Sequence, residues 1–140
     1  MPVQSIRFTH PDVHRRLRDA AARKGTSASA LAELLIDEGL RTESHPLIVF
    51  RDGPSGRRAA LVNGPDVWEV VSAVVDSDIP PGQREERVAD LLDLSVAQVR
   101  AAMAYYAEFT VEVDGRIALN REEADRRLAL WERQQRLLAQ

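Results

Sequence analysis

The sequence predicts a mainly α-helical protein with a little β structure, divided into two small domains. The chain has 140 residues, 44% of them apolar, which suits one or two small domains. Apolar residues recur mostly at helical spacings of three and four, and alternate with polar residues in only a few short runs. The pattern changes near residue 45, so we expect domains at residues 1–44 and 45–140.

The first element is a short predicted β-strand. Polar and apolar residues alternate over residues 3–9, which places Ile6 and Phe8 on one face and Ser5 and Arg7 on the other. No second strand is near in sequence, so the strand's backbone N–H and C=O groups need partners from outside. We therefore expect two copies to pair these strands antiparallel.

Two amphipathic helices follow this strand. Thr9 and Asp12 have the spacing of a capping box for a helix over about residues 10–24, and Gly25 is placed to end it. Ser27 is the predicted N-cap of the second helix. The apolar positions are Val13, Leu17, Ala20 and Ala21 on the first helix, and Leu31, Leu34, Leu35 and Leu40 on the second. A unit of this size cannot bury a sufficient core alone, which also indicates a dimer.

The second domain begins with a predicted β-hairpin. Apolar runs at residues 47–50 and 58–62 flank a turn-rich segment at residues 52–56.

Three helices are predicted after the hairpin. Asp66 with Glu69 forms a capping box before a valine-rich helix, and Ser95 with Gln98 forms another. A helix over residues 84–92 lies between these two. A short turn joins this helix to the one that begins after Ser95. Two helices connected in this way match a helix-turn-helix.

Residues 110–119 leave two structures open. Asp114-Gly115 between alternating apolar residues is typical of a hairpin, whereas Val113 and Ile117 have helical spacing. From about residue 120 we expect an amphipathic helix. Its apolar stripe is Ala124, Leu128, Trp131 and Leu138.

Composition excludes several kinds of chemistry. The chain has no cysteine, so it has no disulfides, thiolate zinc sites or cysteine nucleophiles. His10 and His14 have the spacing of a helical metal pair but lack a third ligand, and no phosphate-binding glycine motif or nucleophile elbow is present. We expect no enzyme activity, no cofactor and no metal. The lack of a long apolar stretch or a secretory signal predicts a cytoplasmic protein that does not enter membranes.

Charge is distributed unevenly along the chain. Residues 1–24 carry six basic and two acidic side chains, whereas residues 45–140 carry twelve basic and sixteen acidic ones. A basic head on an acidic body directs phosphate binding to one end.

The first domain resembles the ribbon-helix-helix proteins of the MetJ/Arc/CopG superfamily. The resemblance lies in the order of residues 5–8, the helix start at residues 9–13, and Gly25-Thr26-Ser27 before Leu31, Leu34 and Leu35. It implies that the paired strands enter the DNA major groove. The outward side chains that would contact bases are Val3, Ser5 and Arg7.

The resemblance also assigns phosphate binding to the start of the second helix. Backbone N–H groups of Ser27 and Ala28, at the positive end of the helix dipole, would hold a DNA phosphate. The alternatives are that Ser27 is only an N-cap and that Arg7 is only a solvated charge.

Residues 45–120 resemble a small bacterial domain found in VapB-type antitoxins, which are partners of PIN-type ribonuclease toxins. The resemblance rests on residues 45–50, 56–59, 64–70 and 99–106, and it favours a helix at residues 110–119. In such systems an antitoxin arginine pairs with the carboxylates of the toxin's magnesium site, a role open to Arg57 and Arg58. Ordinary solvation of the hairpin is the alternative.

Other candidate partner-binding residues are Trp68, Leu128 and Trp131, whose alternative is packing on their own domain or on a second copy. Together these features predict a homodimeric, or higher even-numbered, operator-binding antitoxin and autorepressor. The alternatives are a stand-alone repressor, whose helix-turn-helix also touches DNA, and an oligomerisation protein without an operator.

Overall fold

The computed structural model describes all 140 residues and is mainly helical, with one two-stranded antiparallel sheet. The chain forms two compact units, Met1–Ser44 and His45–Gln140. The helices are α1 (Pro11–Lys24), α2 (Ala28–Ser44), α3 (Val67–Val75), α4 (Arg84–Leu92), α5 (Val96–Glu108) and α6 (Thr110–Leu138), the strands are β1 (Ile48–Arg51) and β2 (Arg58–Leu61), and a 3₁₀ turn spans Pro81–Gln83.

The first unit is a pair of helices preceded by eight residues without regular secondary structure. The predicted Thr9–Asp12 capping box is wrong: His10 occupies the N-cap of α1, and no side chain caps it. Asp12 instead lies in the first turn and pairs with arginines of the same helix. Gly25 ends α1 as predicted, in the left-handed conformation with φ 67°, which glycine adopts without steric cost. The strand predicted at residues 3–9 has no partner within the chain and stays a prediction.

The hairpin of the second unit has the predicted position. Ile48 pairs with Leu61 and Phe50 with Ala59 across the two strands. The capping boxes are also confirmed, since Glu69 Oε2 accepts from Asp66 N at 2.9 Å and Ser95 Oγ accepts from the backbone N of Gln98 at 3.1 Å.

Helices α4 and α5 are joined by a short turn at the predicted place. Asp93 ends α4 in the left-handed region with φ 55°, and its backbone N–H and that of Leu94 return to carbonyls of the last turn. This short turn brings the two helices together.

Helix α6 is continuous from Thr110, so the hairpin alternative for residues 110–119 is wrong and the helical one is confirmed. The C-terminal helix therefore begins ten residues earlier than predicted, and Asn120 lies inside it, donating to Arg116 O at 2.9 Å. Packing decides this conformation. Val113 is buried, and Arg116 donates to two carbonyls of the β1–β2 turn, Ser55 O at 2.7 Å and Arg57 O at 2.8 Å.

The core of the second unit joins the hairpin to four helices. It comprises Ile48, Leu61, Val67, Val70, Val71, Val88, Ala89, Val99, Ala102, Tyr105 and Val113. The first unit, by contrast, fully buries only two apolar side chains, Ala21 and Leu31.

Candidate nucleic-acid interface

The first eight residues expose the side chains that were predicted to face DNA. Val3 is 91% exposed, and Ser5 and Arg7 are exposed as well. Arg7 makes no hydrogen bond or ion pair within the chain, so its guanidinium is available to an external acceptor.

The opposite side of this segment borders an open apolar groove of about 380 Å³. Its main apolar side chains are Ile6, Phe8, Val13, Leu17, Leu35 and Ile36. Ile6 is 54% exposed and Ile36 50% exposed, so about half of each of these apolar side chains is in contact with solvent. The unit thus has an apolar face that its own residues do not cover.

The start of α2 has the geometry of a capped helix. Ser27 Oγ accepts from Ala30 N at 3.1 Å, and Ser27 O accepts from Leu31 N at 3.0 Å. The backbone N–H groups of Ser27 and Ala28 have no acceptor within the chain. Both interpretations of Ser27 are compatible with this arrangement, because an N-cap leaves the first N–H groups free to bind an anion.

Ion pairs change the effective charge of α1. Asp12 pairs with Arg15 and also with Arg16, whose Nε lies 3.2 Å from Asp12 Oδ2. These two arginines are therefore partly neutralised, whereas Arg7, Arg18 and Arg23 have no internal partner.

In the second unit, Arg58 and Trp68 converge on one carboxylate. Asp66 Oδ2 accepts from Arg58 Nε and from Trp68 Nε1, the latter at 3.1 Å. A Cβ at Gly53 would lie 1.8 Å from Arg58 Nη1, so glycine makes room for the guanidinium. The structure places Arg58 in an internal pair, and Arg57 Nη1 lies 3.3 Å from Asp52 Oδ1. The bridging roles of Asp66 and Arg116 were not predicted, because no local pattern relates residues so far apart in sequence.

The candidate residues on α6 are open to solvent. Leu128 is 54% exposed and Trp131 57% exposed. An open groove of about 350 Å³ runs between α3 and α6, bordered by Trp68, Ile117 and Ala124. Trp68 and the exposed part of α6 thus belong to neighbouring surfaces.

Helix α5 offers little basic surface. Arg100 is the only basic residue of α5, and its Nε is engaged by Glu85 Oε2 at 2.8 Å.

No cluster of three or more His, Cys, Asp or Glu side chains has a metal-binding arrangement. None of the helices combines the length and apolar character that crossing a bilayer requires. Comparison with known family models, curated proteins and solved structures finds no match.

Proposed function

We propose that the protein is a homodimeric, sequence-specific DNA-binding protein that reads its operator through a ribbon-helix-helix head, formed by residues 1–44. The observation that carries this proposal is the first unit's uncovered groove beside a segment of alternating residues. Because the unit buries only Ala21 and Leu31 fully, a second copy is needed to cover Ile6 and Phe8. Antiparallel pairing of residues 3–9 achieves this and satisfies their backbone groups.

The same pairing turns Val3, Ser5 and Arg7 toward the major groove. Arg7 donates two hydrogen bonds to O6 and N7 of guanine, a pairing that discriminates by about 1–3 kcal/mol. Ser5 bonds a base edge, and Val3 contacts a thymine methyl. Phosphate binding at Ser27 and Ala28 fixes the position of the head on the duplex without reading sequence.

The test uses full-length protein and a randomised pool of duplexes. After the preferred duplex has been selected, Arg7→Ala should lower its affinity by about tenfold or more, as the loss of one bidentate contact per copy predicts. Binding to an unrelated duplex should fall much less.

The matched control is Arg18→Ala, which removes an equally unpaired cation from α1. It should weaken both duplexes alike and reduce the salt dependence. If Arg7→Ala leaves the preferred duplex as tightly bound as before, the strand does not read DNA.

For the second unit we propose a role as the antitoxin part of a toxin–antitoxin pair, with a PIN-type ribonuclease as partner. The observation that favours this is the row of exposed apolar side chains on α6, including Leu130 and Leu137, 60% and 61% exposed. Such a helix suits binding in a partner's groove. Arg57 remains the candidate arginine for the toxin's carboxylates, since Arg58 is held by Asp66.

Co-expression with the product of the adjacent reading frame tests this role. A stable complex and relief of toxicity are the expected results. A neighbour that is not toxic, or that forms no complex, would favour the alternative of a stand-alone repressor. That alternative has the second unit also touch DNA through α5, whose only basic residue is Arg100.

A further inference from the structure

The C-terminal part of α6 is a helix that its own unit does not support. Glu123 is the last half-buried residue, and every residue from 124 to 140 is exposed. This part continues a helix that the packed residues 110–123 begin, so its nucleation cost is already met. Its apolar side chains, however, have no packing partner in their own unit.

One stripe of this segment has a particular spacing. Ala124, Leu128, Trp131, Gln135 and Leu138, all apolar except Gln135, follow one another at intervals of four, three, four and three residues. This is the a/d pattern of a coiled coil, with Leu128 and Gln135 at a positions. A single polar residue at an a position is typical of two-stranded coils, in which it fixes the register.

The flanking charges indicate how two such helices pair. Arg127 precedes Leu128 at a g position, and Glu132 follows Trp131 at an e position, five residues later. In a parallel pair, g of one helix lies beside the e that follows on the other, so Arg127 meets Glu132 of the second copy twice per dimer. In an antiparallel pair e residues face each other, so the acidic Asp125 and Glu132 would be opposed.

Neither of these two side chains is engaged within the chain. Arg127 borders the groove between α3 and α6 but forms no ion pair, and Glu132 forms none either. Both are therefore available to complementary charges on a second helix.

We propose that the α6 helices of two copies pair in parallel through Leu128, Trp131 and Leu138, forming a second dimer contact. Two heptads are too few for a stable free coiled coil, so this inference rests on the proposed head dimer, which raises the effective concentration of one α6 near the other. The pairing leaves Leu130 and Leu137, at c positions, on the outer surface.

Single-cysteine variants of the full chain test the pairing, because the natural chain has no cysteine. Identical a residues face each other in a parallel coil, whereas c residues do not. Under the same mild oxidant, Leu128→Cys should form about tenfold more disulfide-linked dimer than Leu130→Cys, since a disulfide requires closely opposed Cα atoms. Leu130 is the matched control, a leucine of similar exposure on the same helix.

Charge reversal tests the direction of pairing. Glu132→Arg places like charges across the interface and should raise the dimer dissociation constant about fivefold, and adding Arg127→Glu should restore it. The double variant retains no original charge at either position, so restoration reports on the contact between helices and not on helix stability.

The outcomes separate this inference from the proposed function. A chain that sediments as a monomer contradicts the head dimer and the α6 pairing together. A dimer in which Leu128→Cys crosslinks no better than Leu130→Cys contradicts the α6 pairing alone. Failure of the double variant to restore dimerisation contradicts the parallel arrangement.

Discussion

The two units of this chain reach stability in different ways. The second unit encloses eleven buried side chains that connect a hairpin to four helices. The first unit, less than half that length, fully buries two apolar side chains and exposes a groove lined by eight apolar ones. A small helix pair cannot enclose a core, so its apolar face is either covered by another molecule or exposed at a cost in solubility.

This difference has a consequence for how stability should depend on protein concentration. The core of the second unit is enclosed within one copy, so its unfolding should depend much less on protein concentration, with only the exposed part of α6 gaining from association. The first unit should become more stable as concentration rises, because dimerisation is linked to its folding by mass action.

The largest expected effect is in the core of the second unit. Leu61 is 0% exposed, and Leu61→Ala should lower the unfolding free energy of this unit by about 2–5 kcal/mol, since it removes apolar contacts and leaves a cavity. Urea denaturation followed by tryptophan fluorescence measures it, as both tryptophans, Trp68 and Trp131, belong to this unit. Leu130→Ala on exposed α6 is the control and should change it by less than about 1 kcal/mol. Equal effects at the two sites would contradict the described core.

The next effect is in the first unit. Leu35 is 46% exposed and lines the groove, so Leu35→Glu would change the unfolding free energy of a monomer only slightly. In a dimer it buries a charge in each copy, and we expect the dissociation constant to rise by about a hundredfold.

Sedimentation equilibrium measures this change in dimerisation. Leu40→Glu, an equally drastic change on the same helix at a residue that does not line the groove, should have a much smaller effect. If Leu35→Glu and wild type associate alike, the groove is not the dimer interface.

How much of this molecule could be predicted from sequence depended on how local the deciding interactions are. The capping pairs Asp66–Glu69 and Ser95–Gln98 and the Gly25 C-cap act within a few residues and were predicted correctly, whereas the equally local Thr9–Asp12 pair was not, because α1 begins one residue later. The conformation of residues 110–119 was ambiguous because hairpin and helix both suit their local chemistry. Packing of Val113 and the Arg116 bonds to the β1–β2 turn decided it from about sixty residues away in sequence.

The candidate site shows the same division. Val3, Ser5 and Arg7 are exposed, but so are Ile6 and Phe8, so their exposure does not test the predicted alternation and their role in DNA contact stays a prediction. The internal engagement of Arg58 could not be predicted, because it depends on the fold placing Asp66 and Gly53 beside the Arg58 guanidinium. Pairing of the strands involves a second chain, so the structure of a single chain does not test that prediction.

A smaller effect distinguishes the two arginines of the hairpin. Arg58→Ala leaves the Asp66 carboxylate, whose side chain is 13% exposed, without its cation, and should destabilise the second unit by about 1–2 kcal/mol. Arg57→Ala, which removes an arginine paired with a well-exposed Asp52, should cost less than about 1 kcal/mol. Thermal unfolding compares them. A larger loss for Arg57→Ala would show that Asp66 does not depend on Arg58.

The smallest effect is a pH dependence in the second unit. Tyr106 Oη donates to Asp114 Oδ1 at 2.7 Å, and this hydrogen bond, with burial and the negative charge of Asp114, raises the pKa of Tyr106 above its ordinary 10.0. A raised pKa favours the protonated phenol in the folded state, so the contribution to stability is present below pH 10.0 and is lost as the pH rises through the raised pKa. Asp114→Asn should therefore lower the pKa of Tyr106 toward 10.0, which phenolate absorbance measures. Tyr106→Phe should lose less stability than wild type as the pH is raised. The bond joins α5 to α6 across the junction at Phe109, so an unchanged alkaline profile in Tyr106→Phe would mean that the buried Val113 and the Arg116 contacts hold α6 in place without it.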